Sequence, residues 1–266
     1  MSDLGISFAA LFYGSFVGLS LGLTGGGGAV VAIPLLIYGL GFQYSEAIAI
    51  SLAVIGGTSL YGALLQSHKG HVLWLIGAIL GIGGIPTVSI GKWISDHSSQ
   101  NVLLFLFALL MTFIGLKMIF QHKLNRQPGS KVRIHHANVW KYLTWQRVVM
   151  LLFFGGIVGV LSGTFGIGGG FFFVPTLDFI LKIPIEQATA TSLVGIFLIA
   201  VSGVFLNLDL FNSEETVLAL QFFIGSACGM TIGSFAKELV SGRTLEILFG
   251  SFVLALAAFV LYAQAH

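Results

Sequence analysis

Apolar residues run through this chain in long, almost uninterrupted stretches, at about 4–40, 44–66, 72–92, 101–121, 146–181, 187–208, 216–236 and 244–263. Each of the shorter stretches is close to the ~20 residues that carry an α-helix across a hydrocarbon layer. The stretches at 4–40 and 146–181 are about twice that length, and each carries a glycine cluster near its middle. Between the two halves lies a polar, basic segment with Lys123, Arg126, Lys131, Arg133 and Lys141, broken by Pro128 and Gly129. The pattern predicts a first transmembrane unit at 1–121, a linker at 122–145 and a second unit at 146–266.

The glycine clusters match. Gly22, Gly25, Gly27, Gly28 and Pro34 correspond to Gly163, Gly166, Gly168, Gly169 and Pro175 at one constant offset of 141 residues. Pairing 18–66 with 159–207 without gaps gives 15 identities in 49 positions, among them Ala47/Ala188, Ala49/Ala190, Ser51/Ser192, Leu52/Leu193 and Gly62/Gly203. Shared hydrophobicity would produce some identities, but it would not align the glycines and the proline of one motif. The chain is read as an internal repeat.

Charge orients the repeat. Lys and Arg collect in cytoplasmic loops, so the linker at 122–145 is expected in the cytoplasm. If each long stretch crossed once, Lys92, Lys182, Lys237 and Arg243 would lie outside. If each folds back at its glycines, only Lys92 lies outside and eleven cations lie inside. The second arrangement predicts an all-α polytopic membrane protein with two inverted repeats. Each repeat is a glycine-broken helical hairpin followed by three transmembrane helices. Both termini are then non-cytoplasmic. Met1, Ser2 and Asp3 offer no basic region, and the apolar run outlasts a signal peptide, so the first stretch reads as a membrane segment.

Composition fits. The chain is 56% hydrophobic and 8% charged, with a mean hydropathy of +0.98; soluble domains carry about 25% charged residues. The net charge of +2 and the absence of a basic tract give no footing for nucleic acid. Cys228, the single cysteine, sits in an apolar run and is expected to be a buried, inert thiol. His68, His71, His135 and His136 fall in loops and suggest no metal site. With no nucleotide-binding motif, nucleophile elbow or paired catalytic groups in the apolar segments, the sequence predicts neither an enzyme nor a cofactor.

Backbone broken at membrane depth has to line a cavity or be buried in protein, and paired breaks in corresponding halves point to a transporter's binding site. Helix starts that follow such breaks offer free N–H groups and the positive end of a dipole, a setting for an anion without Arg or Lys. The candidate residues are Thr24, Gly25, Gly27 and Gly28 in the first half, with Gly166, Gly168 and Gly169 in the second. The next helix of each half adds a polar face. Ser51, Thr58, Gly62 and Gln66 share one side, and Ser192, Ile199, Gly203 and Asn207 share the equivalent side, with Thr191 adjacent. Close helix packing and interhelical hydrogen bonding are the alternative uses of these residues. Asp178 breaks the symmetry, since its repeat partner is Ile37. It is either a proton carrier or half of a solvated pair with Lys182. Lys117 and Glu246 stand near helix ends and are expected to snorkel.

Gly-x-x-Gly-x-Gly-Gly followed by proline in each half, with Ala-x-Ala-x-Ser-Leu at 47–52 and 188–193, resembles the sulfite exporter TauE/SafE family. The resemblance covers both repeats. It implies a plasma-membrane carrier, an exporter, for small sulfur-containing anions such as sulfite or organosulfonates. It places the site between the halves at Gly25, Gly27, Gly28, Gly166, Gly168 and Gly169, with Ser51 and Ser192 near. The expected partners are a small anion and the lipid bilayer. A passive anion channel is the alternative.

Overall fold

The structure is a computed structural model, and it describes residues 2–25, 29–120, 134, 139–211, 213–239 and 242–265. The helices, in order, are α1 (Ser2–Thr24), α2 (Ala29–Pro34), α3 (Tyr44–Ser67), α4 (Trp74–His97), α5 (Gln100–Phe120), α6 (Val139–Tyr142), α7 (Trp145–Phe165), α8 (Gly170–Leu181), α9 (Ile185–Phe205), α10 (Ser213–Leu239) and α11 (Gly242–Ala265). No strand occurs among the described residues. Seven of these helices, α3, α4, α5, α7, α9, α10 and α11, are long and apolar enough to cross a membrane. The protein is an all-α, multi-pass membrane protein. Trp74 and Trp93 are both exposed on α4. Nineteen residues of helix separate them, about 28 Å, so the two indoles suit the two interfaces of one bilayer.

Local chemistry sets the helix ends. The N–H of Gln43 donates to the Glu46 carboxylate at 3.0 Å, closing the first turn of α3. Pro184 precedes α9 and Glu186 supplies an acid in its first turn. After Pro34 the chain does not continue as a regular helix. Residues Leu35–Gly39 form a wider turn with i→i+5 bonds, where a proline has removed a donor and crowds the preceding carbonyl.

The two halves pack by exchange. The first helix of each half lies along the fourth helix of the other, α1 on α10 and α7 on α4. Both pairs run parallel and meet backbone to backbone. A Cβ added at Gly14 or Gly18 would overlap the carbonyl of Phe222 or Ser226. One added at Gly155 or Gly159 would overlap that of Leu80 or Gly84. The facing helices return the favour: Gly225 and Gly229 meet the carbonyls of Leu11 and Ser15, and Gly83 and Gly91 those of Leu152 and Val160. Gly14, Gly18 and Gly22 are the repeat partners of Gly155, Gly159 and Gly163. The same small-residue stripe therefore builds both contacts, as expected where lipid supplies no hydrophobic drive and helices associate by close packing.

α3 and α9 cross at the centre, and they run antiparallel. Gly56 meets Ala200, Gly203 meets Leu52, and Gly62 meets Leu193 and Met230. Along this contact one residue number rises as the other falls. α5 packs on α11 at one side. The outward faces remain apolar, with Phe105, Leu109 and Phe113 exposed on α5 and Phe153 on α7.

Cys228 corrects an expectation. Its thiol is exposed on α10 rather than buried. The apolar surroundings that suggested burial are those of a membrane helix, whose outer face is as hydrophobic as its inner one. Lys117 is exposed in the last turn of α5. The side chain of Glu246 lies outside the described residues, as do His135 and His136.

The glycine stripe gives a sharp test. Gly155→Ala forces a methyl onto the Leu80 carbonyl and should cost about 1–3 kcal/mol. Gly156→Ala places its methyl at 3.6 Å from the Gly83 oxygen and Thr87 Cγ2, an ordinary contact, and should be nearly neutral. Thermal unfolding of the two purified variants in detergent measures the difference.

Candidate functional site

α1 and α7 end alike. Gly25 (φ 73°) and Gly166 (φ 64°) adopt the left-handed conformation that glycine accommodates without strain. Their N–H groups donate to the carbonyls of Leu21 at 2.8 Å and Ser162 at 2.7 Å, which are themselves repeat partners. Gly26, Gly27 and Gly28 lie outside the described residues, so the expected roles of Gly27 and Gly28 fall on positions the structure does not describe. The second cluster is described throughout.

Each break is braced by the opposite half. Ser51 Oγ, from α3, donates to the Gly166 carbonyl at 3.0 Å. Ser192 Oγ, from α9, shares its proton between the carbonyls of Gly25 and Thr189, both at 2.8 Å. The glycines also pack in register: Gly166 closes on Ile48, with a Cβ position 3.1 Å from its Cα, and Gly25 closes on Thr189. Residues 48 and 189 are again repeat partners. Thr164 adds two bonds near the second break, from its Oγ1 to the Gly91 carbonyl at 3.2 Å and from the Tyr44 hydroxyl to its own carbonyl at 3.0 Å. Sequence reasoning did not single out Tyr44, since its repeat partner is Ile185 and no symmetry marks it.

Beyond Gly166 the chain turns back on α7. Gly168 (φ 67°) and Gly169 (φ 69°) are both left-handed. A Cβ at Gly169 would overlap Val158, two turns before the end of α7. A Cβ at Gly168 would stand 2.9 Å from Ile55 Cγ2 and 3.0 Å from Ile196 Cγ2. Ile55 and Ile196 are repeat partners on the crossed central helices. The break thus delivers the start of α8 to the middle of the bundle. α8 is 12 residues long, about 18 Å, so it covers roughly half a membrane.

The N-terminus of α8 is buried and electrostatically open. The N–H groups of Phe172 and Phe173 donate to the Gly169 carbonyl at 3.0 and 3.4 Å. Those of Gly168, Gly169, Gly170 and Phe171 meet no acceptor among the described residues, and the three glycines are buried. Such groups carry the positive end of the helix dipole and suit an anion. Ile55 and Ile196 close on Gly168 and Val158 on Gly169, with Ile33 beside Gly166.

The remaining candidates are dispersed. Thr24 Oγ1 donates back to the Ser20 carbonyl at 2.8 Å. Thr191 Oγ1 accepts from the Leu73 N–H at 3.1 Å, pinning the start of α4. Thr58 bonds Ser226 at 2.9 Å, and Gly62, Ile199 and Gly203 make helix contacts. Gln66 sits at the far end of α3, about 22 Å along the axis from Ser51. Asn207 stands equally far from Ser192. It donates to the Gly203 carbonyl at 2.7 Å and accepts from Lys92 Nζ at 2.9 Å. One helical face therefore does not make one site. Asp178 is half-buried on α8, and its carbonyl accepts the Lys182 N–H at 3.0 Å. No group of three metal-ligating side chains occurs among the described residues.

The sequence profile of the sulfite exporter TauE/SafE family matches residues 10–260. This chain belongs to the TauE/SafE family. A probable membrane transporter protein of Xylella fastidiosa (strain Temecula1) is 32% identical over 254 residues, covering 94% of this chain and 92% of the relative. The probable membrane transporter protein YjnA of Bacillus subtilis (strain 168) is 27% identical over 256 residues, covering 94% and 97%. A probable membrane transporter protein of Haemophilus influenzae is 30% identical over 204 residues, covering 73% and 71%. No solved structure matches the chain. The TauE/SafE assignment makes this protein a membrane transporter.

In this TauE/SafE protein Ser51 and Ser192 act on the breaks themselves. Ser51→Ala and Ser192→Ala should each lower stability by about 1–3 kcal/mol, because each strands a buried carbonyl. Thermal shift measurements should give similar losses for the two, as befits repeat partners.

Proposed function

We propose that this protein is a secondary transporter that exports a small sulfur-containing oxyanion, such as sulfite or an organosulfonate, across the plasma membrane. The single observation that carries this reading is the buried start of α8, where the N–H groups of Gly168, Gly169, Gly170 and Phe171 meet no acceptor among the described residues. Its donors are neutral and fixed, so they can hold an anion without a lysine or arginine. Family membership supports the transporter role. The family description and this neutral, multi-donor setting support the choice of substrate class.

The two halves are inverted in the bilayer, with the 122–145 linker in the cytoplasm. The antiparallel crossing of α3 and α9 supports this orientation, and so does the excess of Lys and Arg that it keeps inside. The protein works by alternating access, rocking one half against the other about the glycine breaks. The closed packing of Ile33, Ile55, Ile196 and Val158 suits a sealed intermediate of such a cycle. With no nucleotide-binding motif, an ion gradient or the substrate's own gradient drives transport. Asp178, the acid on α8, is the candidate for proton coupling.

Flux into proteoliposomes, with sulfite, a small sulfonate and thiosulfate, tests the proposal. The expected result is saturable uptake with counterflow exchange. An ohmic anion current would make the protein a channel, and no flux of any anion from folded protein would sink the reading. Gly168→Val should abolish flux, because its side chain would fill the space between Ile55 and Ile196 at a left-handed position. Asp178→Asn should flatten the pH dependence of uptake; an unchanged profile removes Asp178 from the coupling step.

A further inference from the structure

The helices sort into two groups by how they meet, and the groups are not the two halves of the sequence. α10, from the second half, packs on α1 and α3. α4, from the first half, packs on α7 and α9. Within each group backbone meets backbone. Gly14 and Gly225 lock α1 to α10, Gly155 and Gly91 lock α7 to α4, and a Cβ at Gly77 of α4 would stand 2.8 Å from the Thr191 carbonyl of α9. Gly195 of α9 closes on Phe173 and brings α8 into the second group. Side-chain bonds follow the same division. Thr58 and Tyr61 of α3 bond Ser226 and Thr231 of α10, both at 2.9 Å. Thr87 Oγ1 of α4 donates to the Gly156 carbonyl of α7 at 2.8 Å, and Lys92 Nζ of α4 donates to Asn207, just past α9, at 2.9 Å.

The crossing of α3 and α9 is built differently. Away from the breaks its glycines face side chains: Gly203 faces Leu52, Gly56 faces the Ala200 methyl at 3.1 Å, and Gly62 faces Leu193 Cδ1 at 3.2 Å. Side chains in contact can slide past one another by changing rotamer, whereas interlocked backbones cannot. Three hydrogen bonds do cross here, and they stand at the breaks. Tyr44 and Ser51 donate to the Thr164 and Gly166 carbonyls, and Ser192 donates to the Gly25 carbonyl. Ser51 adjoins the Leu52–Gly203 contact, and Ser192 adjoins the Gly62–Leu193 contact. Leu52 and Gly62 are ten residues apart on α3, about 15 Å. The crossing is therefore latched near both of its ends.

We infer that the bodies that rock in transport are the halves with their fourth helices exchanged: α1, α2, α3 and α10 move against α4, α7, α8 and α9. The α3–α9 crossing is the seam between them. The inference rests on the reading of this protein as an alternating-access transporter, and it adds which helices travel together. Opening one end of the seam releases Tyr44 and Ser51 from the second break. Opening the other end releases Ser192 from the first. α5 and α11 pair beside the bodies, with Phe107 of α5 against Phe165 of α7 and Phe252 of α11 against Phe16 of α1. These ring contacts permit the small sliding that the motion needs.

Reversible disulfides distinguish this motion from a rocking of the sequence halves. In a Cys228→Ser background, Leu52→Cys with Gly203→Cys spans the seam. The Gly203 Cβ position is 3.5 Å from Leu52 Cγ, which suits a disulfide. Thr87→Cys with Gly156→Cys joins α4 to α7 inside one body, and the matching distance to Thr87 Cγ2 is 3.6 Å. Both links tie one sequence half to the other, but only the first ties the proposed bodies. Sulfite counterflow in proteoliposomes is measured before and after oxidation, with each link verified by mass spectrometry. Oxidising the seam pair should lower flux about tenfold or more, and a reductant should restore it. Oxidising the Thr87–Gly156 pair should leave flux within about twofold. Equal loss of flux from both links, or undiminished flux through the oxidised seam link, overturns the inference and leaves the proposed function standing. Gly56→Cys with Ala200→Cys across the seam, and Thr58→Cys with Ser226→Cys inside the other body, give the same comparison where a first pair fails to fold. Absence of sulfite, sulfonate and thiosulfate flux from folded wild type overturns the proposed function, and this inference with it.

Discussion

A helix that stops inside an apolar bundle leaves carbonyls and N–H groups where no water can reach them. In this protein the carbonyl of each capping glycine is met by a serine from the other half, Ser51 on Gly166 and Ser192 on Gly25. The two bonds are reciprocal, so each half braces the break of the other. They fix the central helices α3 and α9 against the ends of α7 and α1. They also decide which backbone groups stay free. The carbonyl side of the second break is satisfied, whereas the N–H groups of Gly168, Gly169, Gly170 and Phe171 meet no acceptor among the described residues.

Glycine serves two distinct physical ends in the same short motif. Gly22 and Gly163 belong to the stripes that bring α1 onto α10 and α7 onto α4, where any side chain would strike backbone. Gly25, Gly166, Gly168 and Gly169 instead carry positive φ and turn the chain back into the bundle. The first use needs absence of volume, the second needs freedom of conformation. The two uses stand side by side, Gly163 clamping the end of α7 to α4 three residues before Gly166 turns the chain.

The repeat sets the frame, and departures from it carry the individuality. Tyr44, Lys92 and Thr191 each make a bond that the other half lacks the residue to mirror. Pro34 is followed by a widened turn, whereas α8 runs on past Pro175 as a regular helix. The two halves share the glycine breaks and differ in these contacts.

Hydrophobic run lengths determined the membrane class, and the offset of 141 residues determined the repeat, because both are properties of residue order alone. The family follows from the same motifs. Glycine and proline at fixed spacing located the breaks, since few other residues tolerate that backbone. What order could not convey was which partner each polar group finds. Ser51 and Gln66 share a helical face, but the rise of the helix parts them. Ser51 meets Gly166, 115 residues away in sequence. Cys228 reads as buried because a lipid-facing surface and a protein core are equally apolar. The pairing of Ser51 and Ser192 with opposite breaks goes with the antiparallel crossing of α3 and α9. That crossing is a relation between distant segments, and only the packed tertiary structure decides it.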